Sequence, residues 1–196
     1  MAQSRRSVGI CLTLSILAGI ATAADHHTEF ASRRASDNRL KSSIVYNVTK
    51  FVQWPERTLG EARSPIVVGV WHDDGLIPAL EIELRDKLVQ GHPVMVRRVE
   101  GSKNAPGCAV LFVGASSRQQ INYILQAVSG RPVLTIGDQS EFSSLGGIVT
   151  FIRDGGGTRF EINLPAARRT GFQVSSKVLR MAYVWRESPD PLDAPN

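Results

Sequence analysis

Three polar side chains alternate along one segment near the carboxyl end of the chain. Arg159, Glu161 and Asn163 occupy every second position of an otherwise apolar run, and this alternation is typical of a β-strand with one polar face. A guanidinium, a carboxylate and an amide on one face can recognise a ligand or a protein partner through hydrogen bonds. The same pattern is also typical of a solvated strand that carries a weak ion pair. The residues alone leave both interpretations open.

Polar residues also stand directly after three predicted strands. Asp73 and Asp74 follow the first strand, Ser116 and Ser117 follow the third, and Asp138 follows the fourth. In an open parallel sheet, ligands bind outside the carboxyl ends of the strands. We therefore expect Ser116 and Asp138 to line a binding crevice. Helix capping is the alternative role, and it suits Ser116 and Asp74 well.

The sequence supplies no convincing catalytic or metal-binding set. Ser116 lacks the second glycine of a nucleophile elbow, and no His–Asp pair can be assigned to it, so a secreted hydrolase is disfavoured. The glycine run at 155–157 does not stand between a parallel strand and a helix, so it is not a phosphate loop. We predict no metal site and no cofactor, because the histidines lack the spacing of zinc ligands. These histidines are His26, His27, His72 and His92.

Length and composition set the class of protein. The chain has 196 residues, of which 42% are hydrophobic and 21% are charged, and these values are ordinary for a globular protein. The formal net charge of +5 comes from scattered basic residues and short basic pairs. Without a long basic run we expect no nucleic-acid partner. The length is typical of a single domain.

The amino-terminal segment is predicted to be a cleaved secretory signal. Arg5 and Arg6 precede an apolar run of 14 residues at 7–20, and a small-x-small cleavage motif follows at 21–23. A membrane anchor is the alternative, but spanning a bilayer takes about 20 apolar residues. We expect a periplasmic protein with a signal at 1–23, a flexible leader at 24–36, one domain at 37–187 and a disordered tail at 188–196.

The remaining chain alternates predicted strands and helices. A first helix starts after the cap residue Asp37 and ends before Pro55, where the residue preceding a proline avoids the helical region. This order predicts an α/β fold, a three-layer sandwich with a mainly parallel sheet, a C-terminal antiparallel hairpin and flanking helices. The strands are predicted at 66–71, 93–99, 109–113, 132–136, 147–152 and 158–164. The later helices are predicted at 76–89, at 116–128 and from a cap at Ser175 or Ser176 to Trp185.

Several short motifs, taken in order, resemble the YfiR family between residues 41 and 182. They are Tyr46, Phe51-Val52 and Trp54-Pro55 in the first helix, Gly91, the segments 146–151 and 159–163, Ala166-Ala167, Gly171, Ser175-Ser176 and Leu179.

The resemblance implies a periplasmic regulator without enzyme activity of its own. It implies repression of an inner-membrane diguanylate cyclase through the periplasmic sensor portion of that enzyme, with an effect on cyclic-di-GMP and biofilm formation. It also implies a homodimer and an outer-membrane lipoprotein that sequesters the repressor. Arg159, Glu161 and Asn163 fall within the family motif. The alternative function is a periplasmic sensory domain that binds a small molecule and acts with another membrane receptor.

Cys108 is the one cysteine that remains after the predicted signal. The apolar run that follows it favours a buried thiol, and an intermolecular disulfide is the alternative. The resemblance implies a disulfide between this position and a cysteine in the first strand. Gly69 occupies that position here, so the sequence departs from the family in this respect.

Overall fold

An eight-stranded mixed sheet forms the centre of the protein, and a separate two-stranded sheet lies in the same chain. The computed structural model describes residues 14–56, 58–61, 63–114, 116–153 and 157–186. The helices are α1 (Leu14–Phe51), α2 (Ile77–Leu84), α3 (Arg118–Ala127), α4 (Leu164–Arg169) and α5 (Ser176–Leu179), with 3₁₀ turns at Asp74–Leu76 and Ser102–Gly107. The strands are β1 (Val52–Gln53), β2 (Ile66–Trp71), β3 (Leu88–Val89), β4 (His92–Arg98), β5 (Val110–Val113), β6 (Leu134–Gly137), β7 (Val149–Arg153), β8 (Thr158–Ile162), β9 (Gln173–Val174) and β10 (Tyr183–Val184).

The strands of the large sheet lie in the order β10-β8-β7-β6-β5-β2-β4-β3. The central strands β4, β2, β5, β6 and β7 are parallel, and β7 and β8 form an antiparallel hairpin. The predicted α/β class, the mainly parallel sheet and the C-terminal hairpin are therefore confirmed. The predicted turn of that hairpin covers residues 154–157, of which 154–156 lie outside the described residues, as does the predicted tail at 188–196.

Both faces of the central parallel strands β2, β5 and β6 are buried, which makes a three-layer arrangement. Along β5, Val110 and Phe112 join the core that also contains side chains of α1, α2 and α5. Leu111 and Val113 point the other way, into a second core with side chains of α3. Alternate residues of one strand thus enter different cores, so the strand is apolar at every position.

Helix α1 begins at Leu14, so the helix start predicted at Asp37 is wrong. Residues 29–36 contain no glycine or proline, and Glu29 pairs with Arg33 one turn later at 2.5 Å, which favours a helix there. The chain divides into two units, Met1–Asp37 and Asn38–Asn196, and the second contains the sheet. Residues 1–13 lie outside the described residues, so the signal segment remains a prediction.

No described helix is both long enough and apolar enough to cross a membrane.

The predicted helix at 76–89 is too long. Helix α2 ends at Leu84, and β3 pairs with β4 in an antiparallel hairpin whose two loop residues are Gln90 and Gly91. Both have positive φ angles, 51° and 85°. A two-residue loop of this kind matches the right-handed twist of the paired strands, so the hairpin replaces the last turns of the helix.

The C-terminal third differs most from the sequence prediction. The strand predicted at 158–164 ends at Ile162, and α4 follows without having been predicted. Ser175 caps α5, which agrees with the prediction, but this helix ends at Leu179. Tyr183–Val184 then pair with β8 in parallel, and the Trp185 amide donates to the Ile162 carbonyl. This pairing satisfies backbone groups at the sheet edge, which a continued helix would leave unpaired.

Cys108 is buried, as predicted, and it is a free cysteine. The thiol lies against Gly69 of β2, where an added β-carbon would overlap the Cys108 sulfur and the Val99 side chain. Arg97 Nη2 lies 3.3 Å from the sulfur. The structure therefore places Gly69 directly beside the thiol, at the position where the family resemblance implies a second cysteine.

Phe142 connects the loop after β6 to the second core. Its side chain is fully buried, and its ring lies against the backbone of Gly137 and of Gly147. A β-carbon at either glycine would overlap the ring. The segment between β6 and β7 can therefore fold back over the sheet only because both positions lack a side chain.

Gly147→Ala is expected to lower the free energy of unfolding by about 1–3 kcal/mol, because the added methyl group overpacks the Phe142 site. Gly101→Ala is the matched control, since an added β-carbon there meets no atom within 4 Å. Urea unfolding followed by circular dichroism measures both variants. An equal loss of stability in the two variants would contradict the packing role of Phe142.

Candidate functional site

The order in which strands are added to the sheet reverses between β2 and β5. After β2 the chain passes to β4 on one side of β2, and β5 then lies on the other side. In doubly wound folds such a switch point opens a crevice at the carboxyl ends of the two strands. His72 follows β2 here and Ser116 follows β5, and His72 Nδ1 lies 3.1 Å from Ser116 Oγ.

Packing and backbone geometry hold the His72 side chain across this switch point. Its ring stacks on the buried Trp71 ring, with centroids 3.8 Å apart and an interplanar angle of 17°. The φ angle of His72 is +60°, a left-handed conformation that is uncommon for a residue with a side chain. Strained backbone of this kind is concentrated at functional sites. The exposed His72 and the half-buried Ser116 therefore form an oriented polar pair at the site.

The helix-capping alternative for Ser116 is wrong, because Ser117 caps α3. Ser117 Oγ accepts from the Gln120 amide, and the Gln120 side chain accepts from the Ser117 amide, which completes a capping box. Asp74 does not cap a helix through its side chain either, and its carboxylate pairs with Arg98 at 2.9 Å. Ser116 is thus left to bond with His72.

A buried ion pair joins α1 to the same edge of the sheet. Lys41 Nζ lies 2.7 Å from Asp138 Oδ2, and the side chains are 5% and 21% exposed. Three residues earlier on the same helix, Asn38 Nδ2 donates to the Gly75 carbonyl at 2.8 Å. Asp138 therefore lies at the predicted edge, where its carboxylate neutralises a lysine of the first helix.

The chemistry open to the His72–Ser116 pair depends on the groups around it. A serine hydrolase needs a base that is oriented by a third group, usually a carboxylate. Within the described residues, the other ring nitrogen of His72 has no carboxylate partner. The described residues also contain no group of three histidine, cysteine, aspartate or glutamate side chains that could hold a metal ion.

The polar stripe on β8 is divided between the surface and the core. Arg159 is exposed, and its guanidinium lies 5.8 Å from the centre of the Tyr183 ring on the neighbouring strand β10. Glu161 is half-buried and stands opposite Tyr183 in the strand register. Asn163 is buried, accepts from the Ala166 amide at 2.9 Å as the N-cap of α4, and donates to the Ser143 carbonyl at 2.8 Å. These bonds give Asn163 a structural role.

A groove of about 570 Å³ lies between α3 and α4, at the amino ends of β6 and β7. This volume is within the usual range for small-molecule sites, about 300–1,000 Å³. It lies away from the switch point. Its lining combines apolar side chains with polar ones and one arginine, including Leu125, Val128, Thr135, Ile148, Ala166 and Arg169.

Sequence reasoning missed His72, Lys41 and Tyr183. A signal existed for Lys41, which falls on the apolar face of α1 with Val45 and Val48, four and seven residues later. A lysine on a buried helix face indicates a buried anionic partner. No comparable signal existed for Tyr183, because the sequence predicts a helix up to Trp185, whereas Tyr183 belongs to the strand β10.

Comparison with known proteins identifies relatives of this fold. A family model described as YfiR/HmsC-like matches residues 38–183. A conserved domain protein from Vibrio cholerae O1 biovar El Tor has a similar structure, with a TM-score of 0.47 and 15% identity over 61% of this chain and 54% of that chain. An ABC domain in complex with L-Trp from Streptococcus pneumonia has a TM-score of 0.50 and 10% identity over 76% of this chain and 60% of that one. The chain spans less than two thirds of both structures, and at such identities the likeness concerns the fold alone.

Asp138→Asn is expected to destabilise the protein by about 1–3 kcal/mol, because it removes one hydrogen-bonded charge partner of the buried Lys41 ammonium. Lys41→Met with Asp138→Asn is expected to recover most of this loss, since the double variant leaves no buried lysine charge. A double-mutant cycle by urea unfolding measures the coupling. Additive effects of the two substitutions would contradict a coupled buried pair.

Proposed function

The chain belongs to the YfiR/HmsC-like family of periplasmic regulators, and we propose that it represses an inner-membrane diguanylate cyclase by binding the periplasmic sensor portion of that enzyme. Repression of this kind limits cyclic-di-GMP synthesis and therefore biofilm formation. The observation that carries the proposal is the extent of the family match, residues 38–183, which runs from α1 to the first residue of β10.

The surface best suited to this contact lies at the β10 edge of the sheet. We define the edge patch as Arg159, Met181, Tyr183 and Val184. Met181 and Tyr183 are each 48% exposed, Val184 is 43% exposed, and Arg159 covers the Tyr183 ring. Arginine, tyrosine and methionine are enriched in protein interfaces, and arginine and tyrosine dominate their binding energy. The composition of the patch therefore supports partner recognition.

We also propose that the protein is exported to the periplasm and acts there as a homodimer. Export by a cleaved signal at 1–23 brings the regulator to the periplasm, where the sensor portion of the cyclase is accessible. A homodimer presents the edge patch twice, and an outer-membrane lipoprotein that binds the regulator relieves repression.

A second candidate function is supported by the His72–Ser116 pair. A sensory domain that binds a small periplasmic molecule needs oriented polar groups in a crevice, and this pair lies at the topological switch point of the sheet. In this function the protein with its bound molecule acts on another membrane receptor.

Arg159→Ala is expected to abolish repression while leaving the fold intact. The side chain is exposed, so its loss should change the free energy of unfolding by about 0–1 kcal/mol. An arginine anchor in an interface contributes about 2 kcal/mol or more, so affinity for the sensor portion should fall by about 30-fold. Calorimetry with the purified sensor portion and cyclic-di-GMP levels in cells measure the two effects.

Arg131→Ala is the matched control for this experiment, since Arg131 is also exposed but precedes β6 on a different part of the protein. It should retain repression and affinity within twofold of wild type. A stable Arg159→Ala protein with full repression would rule out recognition through the edge patch.

The sensory alternative is tested by thermal unfolding in the presence of single periplasmic metabolites. A true ligand at 100 times its dissociation constant stabilises the native state by about 2.7 kcal/mol. His72→Ala should remove this stabilisation if the molecule binds at the switch point, whereas Arg169→Ala should remove it if the molecule binds in the groove. A ligand that stabilises both variants as strongly as wild type would exclude both positions.

A further inference from the structure

Three lysine side chains converge on two neighbouring aromatic rings. Lys87 Nζ lies 4.1 Å from the centre of the Tyr46 ring, and Lys177 Nζ lies 4.0 Å from the centre of the Phe51 ring. Lys50 Nζ lies 5.4 Å from the first ring and 5.5 Å from the second. We define the lysine cluster as Lys50, Lys87 and Lys177.

The fold gathers the cluster from distant parts of the chain. Tyr46, Lys50 and Phe51 stand in the last turns of α1, Lys87 precedes β3, and Lys177 lies in α5. Each contact has the geometry of a cation–π interaction, in which the ring face attracts the ammonium. The rings therefore hold three positive charges together on one surface.

The cluster carries more positive charge than its neighbours neutralise. Lys87 forms an ion pair with Glu83. Among the described carboxylates, none forms an ion pair with Lys50 or Lys177. Lys50 and Lys177 are exposed. Both lie near the Phe51 ring, so two exposed positive charges occupy the same part of the surface. An anion placed over the cluster would be attracted by both charges.

We propose that the lysine cluster binds the phosphate groups of an anionic phospholipid surface. The cluster contains lysine and no arginine, and lysine is depleted in protein interfaces whereas arginine is enriched. An ammonium on a flexible stem binds phosphate as a point charge and needs no fixed bidentate partner, which suits mobile headgroups. Leu88, next to Lys87, is 58% exposed and adds an apolar side chain beside the charges.

This inference goes beyond the proposed function, because it concerns contact with the membrane and not with the cyclase. Surface binding of this kind would hold the regulator next to an inner-membrane partner. Since vesicles contain no cyclase, the result of a vesicle experiment is independent of whether the protein represses one.

The test is flotation of the full chain, purified from the periplasm, with two kinds of vesicle. One contains phosphatidylglycerol and phosphatidylcholine, and the other contains phosphatidylcholine alone. We expect binding to the anionic vesicles only, and we expect this binding to weaken as salt is added. A lysine near an anionic surface contributes about 1 kcal/mol, or about fivefold in affinity, so Lys50→Gln with Lys177→Gln should weaken binding about 25-fold.

The matched control is Lys103→Gln with Arg131→Gln, which removes the same charge from exposed residues outside the cluster. It should bind anionic vesicles within twofold of wild type. All variants are first checked for native circular dichroism and melting temperature.

Three results of the vesicle experiments would overturn the proposal. The first is equal binding to both kinds of vesicle, the second is an equal loss in the control variant, and the third is no binding of wild type to anionic vesicles. Binding of a polyglutamate peptide without binding to vesicles would assign the cluster to an acidic protein surface and would also overturn it.

Discussion

The central parallel strands β2, β5 and β6 are buried on both faces, and this burial dictates where the helices and the polar side chains can lie. A parallel sheet needs helices on each side, because residues such as Phe112 and Leu111 enter opposite cores from adjacent positions. The two cores are therefore formed by apolar side chains. The exposed polar residues of the candidate surfaces lie at the ends of the strands, at the edge of the sheet and on the outer faces of the helices.

Close approach of backbone segments shapes the carboxyl edge of the sheet. Gly137 and Gly147 leave room for the Phe142 ring, which holds the segment after β6 against the second core. Asp138 begins this segment and meets Lys41 from α1. The ion pair thus fixes α1 to this edge of the sheet, while the exposed His72 and its partner Ser116 lie at the switch point. Phe142 and Asp138 thus stabilise the fold at the same edge of the sheet where His72 and Ser116 form the candidate binding pair.

Much of the fold could be predicted from local pattern. The parallel strands were recognisable because short apolar runs, several of them rich in valine and isoleucine, separate segments with helical spacing. The C-terminal third was harder, since α4 and β10 are short and carry weak periodicity. The candidate residues lie in different surroundings. Arg159 lies on an exposed edge and Ser116 lies at the switch point, whereas Asn163 stabilises α4 from a buried position.

Residue types at short spacing were enough to predict the α/β class, the family and the burial of Cys108. Which side chains meet could be learned from the three-dimensional fold alone. The Lys41–Asp138 pair joins residues far apart in the chain, and so do the contacts of Lys177 with Phe51 and of Arg159 with Tyr183. Such contacts depend on strand order and helix packing, which are set by burial of the whole core and not by any local segment.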